Sequence, residues 1–105
     1  MIWAKKTQDW SEIVDIIRSE IEANKNIISK EKISDIQFYL DHGEYSMAFE
    51  YLCLEIIEHG NAIFLMGVKK AKELALLFDL DDANECMVDA DFWEKLASFC
   101  DRPVK

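Results

Sequence analysis

Turn-forming residues are scarce in this chain, which has three glycines and one proline in 105 residues. A β-sandwich or barrel requires turn residues about every 8–12 positions, so this composition argues against both architectures. Half of the residues are hydrophobic, and they recur at the three- and four-residue spacing of an amphipathic helix. The sequence therefore predicts an all-α fold, and at this length a single domain spanning residues 1–105 is expected.

The apolar spacing predicts about five helices packed as one compact bundle. Their approximate ranges are 8–24, 29–41, 44–59, 67–78 and 90–100, with an acidic connector at 79–88. The third segment has the broadest apolar arc, which is typical of the central helix of a bundle. Residues 61–66 are compatible with either an extended or a helical conformation.

Polar residues that cap helices mark where two of these helices begin. Thr7 or Asp9 is expected to cap the first helix, and Ser29 the second. Gly43 follows the second segment directly, and glycine suits the left-handed position that ends a helix. We therefore expect a sharp turn between the second and third helices.

The charge balance of the chain is strongly acidic. Twelve Lys and Arg residues oppose twenty-one Asp and Glu residues, which gives a formal net charge of −9. Such a chain is repelled by phosphate backbones and by anionic membrane surfaces. Direct binding to nucleic acid or to a membrane is therefore not expected. A basic protein partner is favoured, although an acidic surface also serves solubility alone.

The three cysteines, Cys53, Cys86 and Cys100, form no CxxC motif, and two of them lie in apolar helical surroundings. Buried thiols in a reducing compartment are the simplest interpretation. The N-terminus lacks the apolar core of a signal peptide, and no apolar run approaches the roughly 18 residues of a membrane span. The sequence therefore predicts a cytoplasmic protein.

No metal or cofactor site is predicted. The acidic residues at 79–85 invite a calcium interpretation, but an EF-hand loop needs Gly at its sixth position and Glu at its twelfth. Counted from Asp79, those positions hold Asn84 and Ala90. The cysteines and histidines lack zinc-ligand spacing, and no glycine-rich phosphate loop is present.

The histidines offer little evidence for catalysis. His42 and His59 each precede a glycine that is predicted to end a helix, where the helix dipole favours a histidine. No nucleophile or orienting acid stands in a recognisable pattern beside them. The protein is therefore predicted not to be an enzyme, and a small metal-independent enzyme using His42 with Glu44 is the alternative.

The distribution of charge is more informative than its total. Between Ile33 and Val68 the chain has no Lys or Arg but six carboxylates. On the third helix, four residues fall within about 60° of one another at 100° per residue, and we call them the predicted acidic ridge. They are Glu44, Tyr51, Glu55 and Glu58. This face is either solvated only or a docking surface on which carboxylates pair with a basic partner.

The predicted partner-binding residues extend this ridge at both ends. Asp41 lies just before it, and the acidic connector supplies further carboxylates. The full set is Asp41, Glu44, Tyr51, Glu55, Glu58, Asp79, Asp81 and Asp82.

Residues 38–52, FYLDHGEYSMAFEYL, resemble the FL-x-HGEY-x-x-A-x-E-x-L stretch of MafI-type immunity proteins. The resemblance extends over about residues 33–82. It implies a protein encoded beside a polymorphic or contact-dependent growth-inhibition toxin, which it neutralises by binding. The implied partner is the cognate toxin's C-terminal nuclease domain, which in several such systems is an RNase, including EndoU-type enzymes.

The charge of the chain is compatible with that implication. A nuclease needs a basic substrate groove, and carboxylates that imitate phosphate can block it or bind beside it. Charge complementarity also speeds association, which an inhibitor of a lethal enzyme requires. The alternative function is an acidic helical adaptor or regulatory subunit that binds a non-toxin protein.

Overall fold

The computed structural model describes residues 10–60 and 62–100, and over these residues it contains helices and turns but no strand. Five α-helices are present: α1 Trp10–Ala23, α2 Lys30–Asp41, α3 Tyr45–Glu58, α4 Gly67–Leu77 and α5 Phe92–Cys100, with one 3-10 turn at Ala83–Glu85. The prediction of an all-α bundle of about five helices is confirmed. Among the described residues, no helix is long and apolar enough to cross a lipid bilayer.

The turn between α2 and α3 follows from local chemistry that the sequence predicted. Ser29 caps α2, and its hydroxyl accepts a hydrogen bond from the Lys32 backbone N–H at 3.3 Å. At the other end, Gly43 has a φ of 75°, a left-handed conformation that glycine adopts without steric cost. The chain reverses there, so α2 and α3 form a helical hairpin. The predicted caps Thr7 and Asp9 lie outside the described residues.

Helix α3 is the central element of the bundle, packing against α1, α2 and α5. Five of its hydrophobic residues are buried: Ala48, Phe49, Leu52, Cys53 and Ile56. They meet apolar stripes such as that of Ile13, Ile17 and Ile21 on α1. Val68 has the helical spacing of the buried Ala71, Leu74 and Ala75 of α4, which would place it on the core face, but it is 41% exposed. It lies in the first turn of that helix, ahead of the buried positions that begin at Ala71.

Residues 62–66, the described part of the ambiguous segment before α4, are not helical, and side chains at the C-terminal end of α1 and just after it bond to their backbone. Asn24 is completely buried. Its Nδ2 donates to the Ile63 carbonyl at 2.8 Å, and its Oδ1 accepts from the Ile63 N–H at 2.7 Å. Glu20 accepts from the Met66 N–H at 2.5 Å. A backbone without helix or sheet partners needs such hydrogen bonds when it is buried.

We expect Asn24→Ala to lower the free energy of unfolding by about 2 kcal/mol, because both polar groups of Ile63 lose their partner. Urea unfolding followed by circular dichroism measures the change. Asn26→Ala, in the same turn but exposed, is the matched control and should be close to neutral. Equal stability of the two variants would contradict this role for Asn24.

Candidate functional site

The predicted partner-binding residues do not form one continuous surface. Glu44 precedes α3 and Glu58 is its last residue, and the helix spans 14 residues. At a rise of 1.5 Å per residue these carboxylates are about 21 Å apart along the axis. Both are exposed, and Tyr51 between them is half-buried. The predicted ridge is therefore interrupted along its length.

Glu55 departs most from the expectation of a solvent-facing ridge. Its side chain is almost completely buried, and its Oε2 lies 3.0 Å from the Lys32 ammonium of α2. Its Oε1 lies 3.6 Å from His59 Nε2. Hydrogen bonding to Glu55 and its charge raise the pKa of Lys32. The expectation that Glu55 is exposed was therefore wrong, because this carboxylate links α3 to α2. Its partner Lys32 lies one residue before the segment without Lys or Arg from which the ridge was inferred.

Tyr51 takes part in a small patch shared by α2 and α3. Its hydroxyl donates to Asp35 Oδ2 at 3.3 Å, and its ring centroid lies 6.3 Å from that of Tyr39. Burial, and then the charge of Asp35, raise the pKa of Tyr51. Sequence reasoning missed Asp35 and Tyr39 because it considered the faces of α3 alone.

Two of the predicted carboxylates lie at the turn of the hairpin, residues 41–45, which we call the hairpin tip. Asp41 and Glu44 are both exposed there. Asp41 lies 3.6 Å from the Arg18 guanidinium, and both side chains of this pair are mostly exposed. Such a surface pair contributes little stability, so Asp41 can exchange this cation for another at small cost.

His42 also belongs to the hairpin tip, where it completes the end of α2. Its Nδ1 donates to the Phe38 carbonyl at 2.8 Å when the proton is on that nitrogen. The Phe38 ring is 56% exposed and its centroid lies 4.1 Å from the imidazole. Phe38 therefore packs against His42 at the C-terminal end of α2.

An aromatic cleft adjoins the hairpin tip. The Trp10 ring stacks on Tyr45 at 5.2 Å and on Phe78 at 5.9 Å. The residues that line the cleft are Trp10, Gly43, Glu44, Tyr45, Ser46 and Phe78. Because Asp79 follows Phe78 directly, the start of the acidic connector lies at the same end of the bundle as Glu44. The structure thereby brings together two groups that are far apart in sequence.

The connector keeps its carboxylates outward while anchoring one apolar residue. Leu80 is completely buried, whereas Asp81 and Asp82, which directly follow it, are exposed. Asp82 accepts from the Asn84 N–H at 2.9 Å, which starts the 3-10 turn. Asp79 has a φ of 60°, a conformation that Asp tolerates better than most residues.

Glu50 has a structural role that the sequence analysis did not predict. It is completely buried, and its carboxylate accepts three backbone N–H groups, those of Met87 at 2.9 Å, Val88 at 3.0 Å and Asp89 at 2.7 Å. The sequence does contain a signal. At 100° per residue, Glu50 falls between the apolar Leu54 and Ile57 around α3, so an inward carboxylate could be inferred.

We expect Glu50→Gln to lower the free energy of unfolding by about 2–3 kcal/mol. The amide has one acceptor oxygen and turns N–H donors toward backbone N–H groups, so charged hydrogen bonds are lost. Urea unfolding compares it with Glu58→Gln, the same change at an exposed position on the same helix. Similar stability of the two variants would show that the buried carboxylate is not needed.

Cys86 is expected to react slowly with alkylating reagents. Burial, followed by the charges of Glu50 and Asp89, raises the pKa of its thiol to about 11 from an ordinary 9.0. Because the thiolate is the nucleophile, the reactive fraction at pH 8 falls about 100-fold. Peptide mapping after iodoacetamide treatment measures the rate in the native protein and in the urea-unfolded chain at equal pH. A native rate within threefold of the unfolded one would contradict this expectation.

No protein-family model, curated protein or solved structure matches this chain. The resemblance of residues 38–52 to MafI-type immunity proteins therefore stays a prediction made from the motif alone. The function has to be argued from the arrangement of the side chains.

Proposed function

We propose that this protein is a cytoplasmic immunity protein, which binds and neutralises the nuclease domain of a cognate toxin. The proposed binding surface is the hairpin tip with the adjoining aromatic cleft. The observation that carries the proposal is the position of Glu44. It is exposed at the tip and lines the cleft, and it belongs to the motif that resembles the immunity proteins.

The other residues of that motif mostly serve the fold. Gly43 makes the turn, Ala48 and Leu52 are completely buried in the core, and Glu50 is buried and bound to the connector's backbone. Glu44 contributes no side-chain hydrogen bond to the cap of α3. Among the described residues, nothing forms a hydrogen bond or ion pair with this carboxylate, whereas most of the motif serves the fold. Glu44 is therefore the natural candidate for contact with a partner.

The chemistry of the surface suits a basic partner. Asp41, Glu44 and the nearby Asp79 provide negative charge, which attracts the Lys and Arg residues of a nuclease groove and speeds association. The aromatic side chains of the cleft provide contact area of the kind that anchors interfaces. Glu58 lies at the far end of α3 and is assigned to a separate part of the surface.

The direct test is co-expression with the toxin domain encoded by the neighbouring gene. Growth should be restored, and a complex should persist through size-exclusion chromatography. If the toxin still kills cells that contain the folded protein, and no complex forms, the proposal is wrong. Capture of a non-toxin protein in that case would favour the alternative, an acidic helical adaptor or regulatory subunit.

Within such a complex, we expect Glu44→Lys to weaken binding about tenfold at low salt, which corresponds to about 1.4 kcal/mol. The loss should lie mainly in the association rate and shrink as salt is added. Surface plasmon resonance at several salt concentrations measures both effects.

Glu31→Lys is the matched control, because Glu31 is exposed in the first turn of α2, about 15 Å along that helix from Asp41. Circular dichroism verifies that both variants are folded. An equal effect of the two substitutions would mean that net charge, and not the hairpin tip, determines binding.

A further inference from the structure

A second cleft lies between α1 and the segment that precedes α4, with a volume of about 460 Å³. Three carboxylates line it, those of Glu12, Asp15 and Glu20, and Leu65 and Met66 contribute apolar wall. Within the described residues, Glu12 pairs with the partly exposed Lys70 at 3.9 Å. The cleft is therefore acidic within and apolar along one side.

Glu20 has an unsatisfied oxygen in this cleft. The residue is completely buried, and its Oε2 accepts the Met66 N–H. Its Oε1 is buried, and no described residue donates a hydrogen bond to it. Burial raises the pKa of Glu20, and the backbone N–H groups of Met66 and Leu65 oppose the rise. A buried carboxylate oxygen without a donor is costly, and most such oxygens in proteins have one.

We propose that this cleft binds the guanidinium group of an arginine side chain from a partner protein, with Glu20 Oε1 as its acceptor. Arginine fits better than a metal ion, since no group of three ligating side chains capable of holding one occurs among the described residues. It also fits better than lysine. A guanidinium is weakly hydrated and presents several donors in a fixed plane, which suits a partly apolar site with two carboxylates, Glu20 and Asp15.

The surroundings of the cleft favour a protein as the source of that arginine. Leu65, which lines the cleft, is 59% exposed, and Ile63 and Val68, two and three residues away from it in sequence, are 47% and 41% exposed. Neighbouring exposed apolar residues of this kind mark interaction surfaces. The aliphatic stem of an arginine and its flanking apolar residues would cover them. Because Oε1 is buried, a guanidinium reaches it only if side chains of the wall move. The wall includes Leu65, which is exposed, and Met66, a flexible methionine.

This inference goes beyond the proposed function, because the site requires only an exposed arginine and not a toxin. It is also separate from the hairpin tip, since Glu20 and Leu65 do not line the aromatic cleft. Failure of one proposal therefore leaves the other standing.

The test uses the full chain and a blocked Leu-Arg-Leu tripeptide as the probe, with the citrulline tripeptide as its neutral isostere. Backbone amide shifts are followed by NMR titration. We expect saturable shifts at Glu20, Leu65 and Met66 with the arginine peptide, and at least tenfold weaker binding of the citrulline peptide. Absence of saturable shifts at these amides, or equal binding of both peptides, overturns the proposal.

Variants locate the site. Glu20→Gln should weaken binding of the arginine peptide at least tenfold. Glu22→Gln, at an exposed position two residues further along α1, should leave binding of the peptide unchanged. Asp15→Asn, also exposed, should weaken it severalfold and decides the matter if Glu20→Gln does not fold. The proposed site is rejected if Glu20→Gln and Asp15→Asn leave binding unchanged. It is also rejected if Glu22→Gln weakens binding as much as they do.

Discussion

The enclosure of α3 by α1, α2 and α5 is the constraint on which the rest of the structure depends. A helix in that position buries nearly every face, and α3 buries two glutamates along with its apolar residues. Burying a carboxylate is costly unless donors satisfy it. Glu55 finds the Lys32 ammonium, and Glu50 finds three backbone N–H groups ahead of α5. These requirements fix α2 and the end of the connector relative to the central helix.

Local features of the fold were predictable from sequence because they depend on neighbouring residues. Ser29 and Gly43 act through hydrogen bonds and backbone angles within a turn of their own position, and the apolar stripes follow helical periodicity. The 62–66 segment could not be assigned. Its conformation depends on Asn24, whose amide reaches Ile63 across 39 positions of sequence.

The candidate site was predicted less completely, because it too depends on contacts between residues that are far apart in sequence. The angular rule grouped Glu55 with Glu44 and Glu58 correctly around one helix, but exposure depends on what packs against that helix. Lys32 lies one residue before the segment without cations, so the partner of Glu55 was invisible to an argument confined to that segment. The nearness of Phe78 to Glu44 likewise arises from the stacking of Trp10 between Tyr45 and Phe78, which no periodicity encodes.

The two clefts described above both involve residues of α1 but differ in character. The aromatic cleft has exposed carboxylates at its edge, which act at long range and guide a basic partner during approach. The cleft between α1 and the segment before α4 holds the Glu20 carboxylate out of water. Interactions there are shorter in range and more dependent on geometry. A partner that engaged both would be guided by one and held in register by the other, with Trp10 and Ser11 as adjacent residues of the two walls.

The Glu50 carboxylate also determines how the C-terminal part of the fold opens. Three consecutive amides, those of Met87, Val88 and Asp89, share this single acceptor, so none of them can be released far without disturbing the others. We therefore expect these amides to exchange with solvent together, when α5 lifts from α3, and not one at a time as in a fraying loop. On this expectation, one side chain in the middle of the central helix couples the opening of the connector to that of the last helix.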